Sequence, residues 1–64
     1  MRIDRVKLIS EMVRQDMNQL QLVKLSGISR STISAVQNGR SCSKETASKI
    51  AYALNVPLET LTED

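Results

Sequence analysis

Apolar residues recur at helical spacing in five short segments of the chain, and capping or turn-forming residues separate the segments. The first predicted helix runs from about Asp4, whose carboxylate can accept an orphan backbone N–H, to Gln15. Apolar side chains at intervals of three and four residues predict one buried face for this helix. That face consists of Val6, Ile9 and Val13, and it is widened by Leu8 and Met12.

Two short helices are predicted close together in the centre of the chain. One covers about residues 19–26 behind the capping residue Asn18, and the other covers about residues 30–37. Gly27 opens the three-residue turn between them, since glycine accepts the left-handed backbone that a sharp stop needs. A short turn with glycine between two short helices predicts a helix-turn-helix over about residues 19–38.

The last third of the chain predicts two further helices. The fourth helix follows the capping residue Ser43 and ends at Asn55, and a short fifth helix follows Pro57, which prevents simple continuation. The apolar positions of these two helices are Ala47, Ile50, Ala51, Leu54, Leu58 and Leu61. No alternation is long enough to predict a strand, so the predicted fold class is all-α, with five helices in a compact domain.

Length and composition exclude several classes of function. The 64 residues of the chain make one domain at most. With Cys42 as its only cysteine and no histidine, the chain supplies neither a structural zinc set nor an imidazole base for a nucleophile. We therefore expect a binding module with no metal, no cofactor and no enzyme activity. No membrane-spanning run of about 18 apolar residues and no apolar signal segment is found, so we expect a cytoplasmic protein.

Charge is unevenly distributed along the chain. Residues 17–44 carry four basic side chains and no acid, whereas residues 45–64 have a net charge of −3. A polyanion would prefer the acid-free part, although four charges on such a segment are also ordinary for a solvated surface. The single aromatic residue, Tyr52, disfavours single-strand binding by base stacking and leaves duplex DNA as the better candidate.

Four runs of residues together match a known pattern: QLQLV at 19–23, SGISRSTIS at 26–34, NGR at 38–40 and KIAYALNV at 49–56. These runs resemble the Cro/repressor family, the lambda-repressor-like or XRE helix-turn-helix domains. The resemblance covers nearly the whole chain, is weakest in the first helix, and implies sequence-specific binding of duplex DNA with the third helix in the major groove.

Three residues depart from the pattern of this family. Val23 stands where the family favours alanine, and its larger side chain would press the two helices of the motif slightly apart. Asp16 and Asn55 stand where glycine is frequent. Asparagine tolerates the left-handed cap, so that departure is mild.

The resemblance implies base contacts from one helix and phosphate contacts around it. The residues expected at base edges are Arg30, Ser31, Ser34 and Ala35. Arg30 has the planar fork that pairs with guanine, but it could also contact only phosphate, and Ala35 could simply allow close approach. The residues expected at phosphates are Gln19, Ser29, Thr32, Asn38, Arg40, Ser43 and Lys44. Gln19 has a second interpretation, in which its amide braces the recognition helix, and Ser29 can act as a cap.

The predicted function is that of a transcription regulator, a repressor rather than an activator. It would act as a homodimer on a two-fold operator with half-sites about 34 Å apart. Leu58, Leu61 and the acidic tail are candidates for the dimer surface. The alternative is a protein-interaction module of a regulatory or antitoxin-type complex that uses Leu20, Tyr52 or Leu61 as an apolar patch. A third interpretation keeps DNA binding in a truncated N-terminal domain or a recombination accessory factor.

Overall fold

The computed structural model describes residues 1–63, so Asp64 of the acidic tail lies outside the described residues. The elements in chain order are α1 (Arg5–Arg14), α2 (Gln19–Ser26), α3 (Arg30–Gln37), α4 (Lys44–Ala53) and a single 3-10 turn (Leu58–Thr60). The all-α prediction is confirmed for the described part of the chain, where the only extended pairing is an isolated bridge. None of the helices within residues 1–63 is long and apolar enough to cross a membrane.

The prediction of five helices is wrong for the last segment. The N–H of Thr60 donates to the carbonyl of Pro57 at 3.0 Å, and that of Leu61 donates to Leu58 at 2.9 Å, which is the tighter 3-10 pattern. The carbonyl of Leu61 then accepts the N–H of Asp4 at 2.8 Å. The last segment is therefore a single 3-10 turn, and its end is hydrogen-bonded to the other end of the chain.

Each α-helix begins behind a polar side chain that accepts a backbone N–H of the first turn. Asp4 caps α1, Ser29 caps α3 and Ser43 caps α4. At α2 the arrangement is reciprocal: the Asn18 side chain accepts the N–H of Gln21 at 2.8 Å, and the Gln21 side chain accepts the N–H of Asn18 at 2.9 Å. All four predicted caps are therefore confirmed, because the signal that specifies them lies within three residues of each helix start.

A left-handed residue follows each of the four α-helices, and after α3 it is Gly39, with a φ of 90°. Gly27 has a φ of 72° and donates its N–H to Val23. Asp16 and Asn55 have φ values of 53° and 57°, at the two positions where the sequence departs from glycine. Short polar side chains tolerate this conformation better than others do, so both departures leave the chain path intact.

The core is built from all four helices and both ends of the chain. α2 packs against α3 and α4, α1 packs against α3, and the 3-10 turn packs against α4. The buried residues are Ile3, Leu8, Met12, Leu22, Ile33, Val36, Ala47, Ile50, Ala51, Leu54 and Leu61. The predicted stripe of α4 is thus confirmed, and Met12 and Met17 fill space in or against the core.

The predicted buried face of α1 is wrong. Val6, Ile9 and Val13 are 66%, 44% and 73% exposed, whereas Leu8 and Met12 are buried. Both rows have helical spacing, so periodicity alone does not choose between them. The row with Leu8 and Met12 continues into Gln15, whose amide donates to the carbonyl of Leu54 at 2.7 Å, and this row faces the core.

The two ends of the chain lie side by side. Ile3 pairs with Thr62 in an antiparallel bridge, and the amine of Lys7 donates to the carbonyl of Thr62 at 2.9 Å. Leu61 is fully buried beside this bridge. Leu61 is therefore a core residue, and the interpretations that place it on a dimer surface or in an exposed apolar patch are wrong.

Candidate nucleic-acid interface

α2 and α3 form two arms of a compact motif around the turn 27–29. Ile28 and Val23 are half-buried and pack against the core, which fixes the corner between the helices. The N–H of Ile28 donates to the hydroxyl of Ser26 at 3.1 Å, so the turn also satisfies its own backbone. The motif packs α3 against the core with one side of the helix facing outward.

α3 has one apolar side and one wide polar side. Ile33 and Val36 are buried. Ser31, Ser34 and Ala35 stand at spacings of three and four, which places them together on the opposite side of the helix. Ser31 is exposed, and Ser34 and Ala35 are half-buried. The structure thus brings together three of the predicted base-contacting residues on one surface of small side chains, which allows close approach.

Arg30, the fourth predicted base-contacting residue, is held by a chain of side-chain hydrogen bonds. Its Nε donates to Oε1 of Gln19 at 3.2 Å, and Nε2 of Gln19 donates to Oε1 of Gln37 at 2.8 Å. Nε2 of Gln37 in turn lies 3.4 Å from the sulfur of Met12. Gln19 therefore links the start of α2 to both ends of α3, and the two Nη groups of Arg30 have no partner within residues 1–63.

Sequence reasoning missed Gln37. It is half-buried and stands at the last position of α3, eighteen residues from Gln19. No local pattern connects two amides so far apart along the chain. The contact exists because α2 packs against α3, and such packing is not encoded in a local pattern.

The hydroxyl residues predicted at phosphates are engaged at helix starts. The Ser29 hydroxyl accepts the N–H of Thr32 at 3.3 Å and donates to the Thr32 hydroxyl at 2.9 Å. Ser43 makes the same pair of contacts with Thr46, at 3.1 Å and 3.0 Å. The capping role of Ser29 is confirmed, and its contact with phosphate stays a prediction.

The remaining predicted phosphate residues lie on and after the last turn of α3. The amide of Asn38 donates to the carbonyl of Ser34 at 2.9 Å, which fixes the side chain at the helix end. Arg40 and Lys44 are exposed and make no salt bridge or side-chain hydrogen bond within residues 1–63. Both cations remain available to an anion.

Salt bridges lie at other parts of the surface. Arg14 pairs with Glu11 on α1, and Lys49 pairs with Glu45 on α4 at 3.3 Å. The hydrogen bond from Arg14 lowers the pKa of Glu11 below its ordinary value. Within the described residues no acid pairs with a cation of the segment 17–44, so this segment keeps its positive charge.

Comparison with known families supports this architecture. A family model described as Helix-turn-helix matches residues 8–61, most of the chain. The chain belongs to the lambda-repressor-like, XRE-type helix-turn-helix family of DNA-binding domains. The predicted resemblance to this family is thereby confirmed.

Two solved structures of PhpD are similar to this helix-turn-helix domain. One is described as native PhpD with cadmium atoms, and the other as PhpD with cadmium complexed with hydroethylphosphonate. Both share 26% sequence identity with this chain, with TM-scores of 0.85 and 0.84. The match covers 100% of this chain but 14% of PhpD, so the similarity is that of one region of a longer protein. No curated protein matches the chain.

Proposed function

We propose that this helix-turn-helix domain binds duplex DNA at specific sequences, with α3 in the major groove. The observation that carries the proposal is the contact of Arg30 with Gln19: the Nε of Arg30 donates to Oε1 of Gln19 at 3.2 Å, while its Nη groups have no partner within residues 1–63. A guanidinium held in this way is prepared for bidentate contact with guanine O6 and N7. Ser31, Ser34 and Ala35 then lie against neighbouring base edges.

Phosphate contacts on both sides of α3 complete the proposed interface. Arg40 and Lys44 supply charge after α3, and Asn38 stands at the helix end between them and the groove. Ser29, Thr32 and Ser43 lie at helix starts, where backbone N–H groups and the helix dipole favour an anion. Such contacts supply affinity and register, and the choice of sequence is left to Arg30 and its neighbours.

The proposed biological role is that of a cytoplasmic transcription regulator that represses by occupying an operator. One α3 helix reaches few bases, so the domain acts as a homodimer on a two-fold site with half-sites about 34 Å apart. The domain itself is a binding module without catalytic activity. In this proposal the domain acts only by reversible, non-covalent binding of DNA.

Titration of a sequence-selected duplex and a random duplex at several salt concentrations tests the proposal. We expect a steep salt dependence for both and a large ratio of specific to random affinity. Arg30→Ala should cost about 1–3 kcal/mol on the selected site and relax preference at one base pair. Arg40→Ala is the matched control, since it should weaken both duplexes equally. No binding at low salt would refute the proposal.

A protein-interaction module is the second candidate, and a specific observation favours it. Val6, Ile9 and Val13 form an exposed apolar face on α1, and Tyr52 on α4 is 85% exposed. An exposed apolar face such as the one on α1 marks protein contacts. Sedimentation of wild type, Val13→Glu and Tyr52→Ser tests it: an assembly that only Val13→Glu disrupts places the contact on α1. Self-association without duplex binding at low salt would favour this candidate over the first, whereas duplex binding by a protein that is monomeric at all concentrations would count against it.

A further inference from the structure

The basic side chains outside the segment 17–44 differ in whether the protein itself engages them. Four are engaged: Arg2 with Glu63, Lys7 with the Thr62 carbonyl, Arg14 with Glu11, and Lys49 with Glu45. Arg5 is the exception. It is exposed and makes no salt bridge or side-chain hydrogen bond within residues 1–63. Its charge therefore adds to the unpaired cations of the acid-free segment.

Arg5 stands beside the loop that follows α3. Nε and Nη2 of Arg2 donate to the carbonyl of Gly39 at 3.1 Å and 3.0 Å, and the N–H of Cys42 donates to the carbonyl of Met1 at 2.8 Å. These bonds fasten the start of the chain to the loop. The Cδ of Arg5 consequently lies 4.0 Å from the position that a Cβ on Gly39 would occupy.

The surface between α1 and this loop is concave. A shallow depression of about 360 Å³ is bordered by Arg5 on one side and by Asn38 and Gly39 on the other. Two acids also border it, and both are engaged. Asp4 accepts the N–H groups of Val6 and Lys7 at 2.9 Å and 3.2 Å, and Glu63 pairs with Arg2 at 3.3 Å. The Arg5 guanidinium is thus the charged group of the depression that lacks a protein partner within residues 1–63.

We propose that Arg5 binds a DNA phosphate next to the one that Asn38 and Arg40 approach, so that the start of α1 belongs to the DNA interface. The inference rests on the proposed function, because it places the same duplex against the α3–α4 loop. A guanidinium offers planar, bidentate donors that suit a phosphate. This contact extends the set of phosphate contacts beyond the helix-turn-helix itself, and it does not contribute to the choice of base sequence.

The variant Arg5→Gln tests this assignment, and the separate variant Lys49→Gln is its matched control. Each substitution removes one positive charge from an exposed helical position. Binding is measured on the selected and the random duplex over a series of salt concentrations. Arg5→Gln should weaken both duplexes by the same factor and reduce the slope of log K against log salt by about 0.9, the value for one phosphate. Lys49→Gln should leave the slope unchanged. Unaltered thermal unfolding of both variants shows that the fold is intact.

Phosphate ethylation interference locates the contact directly. Ethylating the phosphate that Arg5 binds should reduce wild-type affinity and should no longer affect Arg5→Gln, whereas interference at the other phosphates persists. Equal slopes for Arg5→Gln and Lys49→Gln, or an unchanged interference pattern, would overturn the assignment while DNA binding by the wild type stands. If the wild type itself binds no duplex at low salt, the proposed function fails, and the assignment of Arg5 fails with it.

Discussion

The hydrogen bond between Gln19 and Arg30 makes a prediction that a double-mutant cycle can measure. Gln19→Ala, Arg30→Ala and the double variant separate the worth of the pair from the worth of each side chain. A hydrogen bond to a charged group contributes about 1.5–3 kcal/mol. The 3.2 Å contact is solvent-exposed, so we expect a smaller coupling of about 1 kcal/mol, or about fivefold in affinity for the selected site.

The assay is equilibrium binding at one fixed salt concentration, on the selected and the random duplex. Coupling should be present on the selected duplex and absent on the random one, because only base contact requires an oriented Arg30. Additive effects on both duplexes would refute the idea that Gln19 orients Arg30 for base contact. Gln19→Glu keeps the acceptor for Arg30 but loses the N–H that donates to Oε1 of Gln37. If Gln19 contacts phosphate directly, the added negative charge should weaken binding of both duplexes by the same factor, whereas a loss confined to the selected duplex indicates that Gln19 braces Arg30.

Three further predictions concern the fold. Leu8→Ala should lower the free energy of unfolding, measured in urea, by about 2–5 kcal/mol, whereas Val13→Ala should lower it by less than about 0.5 kcal/mol. Equal losses for the two variants would contradict the orientation of α1. Gly27→Ala should cost about 1 kcal/mol from its left-handed backbone, and because an added Cβ meets nothing within 4 Å, a much larger loss would reveal an unexpected contact. Burial raises the pKa of the Cys42 thiol above its ordinary value, so the contribution of the neutral thiol to the free energy of unfolding is complete below that ordinary value and is lost as the pH rises through the raised pKa of the folded protein. The melting temperature of Cys42→Ala should therefore fall less steeply with alkaline pH than that of the wild type, and parallel curves would rule this out.

Features set by neighbouring residues could be predicted from the sequence. Asn18 and Gln21 cap α2 through bonds that span three positions, and Gly27 ends it through its own backbone freedom. The helix-turn-helix follows from these signals together with the apolar spacing of α2 and α3. Such features need no knowledge of the packed chain, which is why they could be placed correctly.

Features set by packing could not be predicted in the same way. α1 carries two apolar rows, and only its contact with α3 decides that Leu8 is inside and Val13 outside. Leu61 belongs to the core because its carbonyl pairs with Asp4, far away in sequence. In the candidate site, Arg30 could be named as a candidate for base contact from the family resemblance, but its hydrogen bond with Gln19 depends on the packing of α2 against α3.

The pairing of Ile3 with Thr62 has a consequence for how this domain can be used in a longer polypeptide. Residues that face each other in an antiparallel bridge have Cα atoms about 5 Å apart, so the two ends of the domain lie close together. A domain with adjacent ends can be inserted into a surface loop of a host protein without forcing that loop apart. Insertion into such a loop should leave the melting temperatures of host and guest unchanged, and a marked drop in either would show that the ends must separate. The antiparallel bridge, together with the hydrogen bonds from Asp4 to Leu61 and from Lys7 to Thr62, thus makes the domain a transferable unit with adjacent ends.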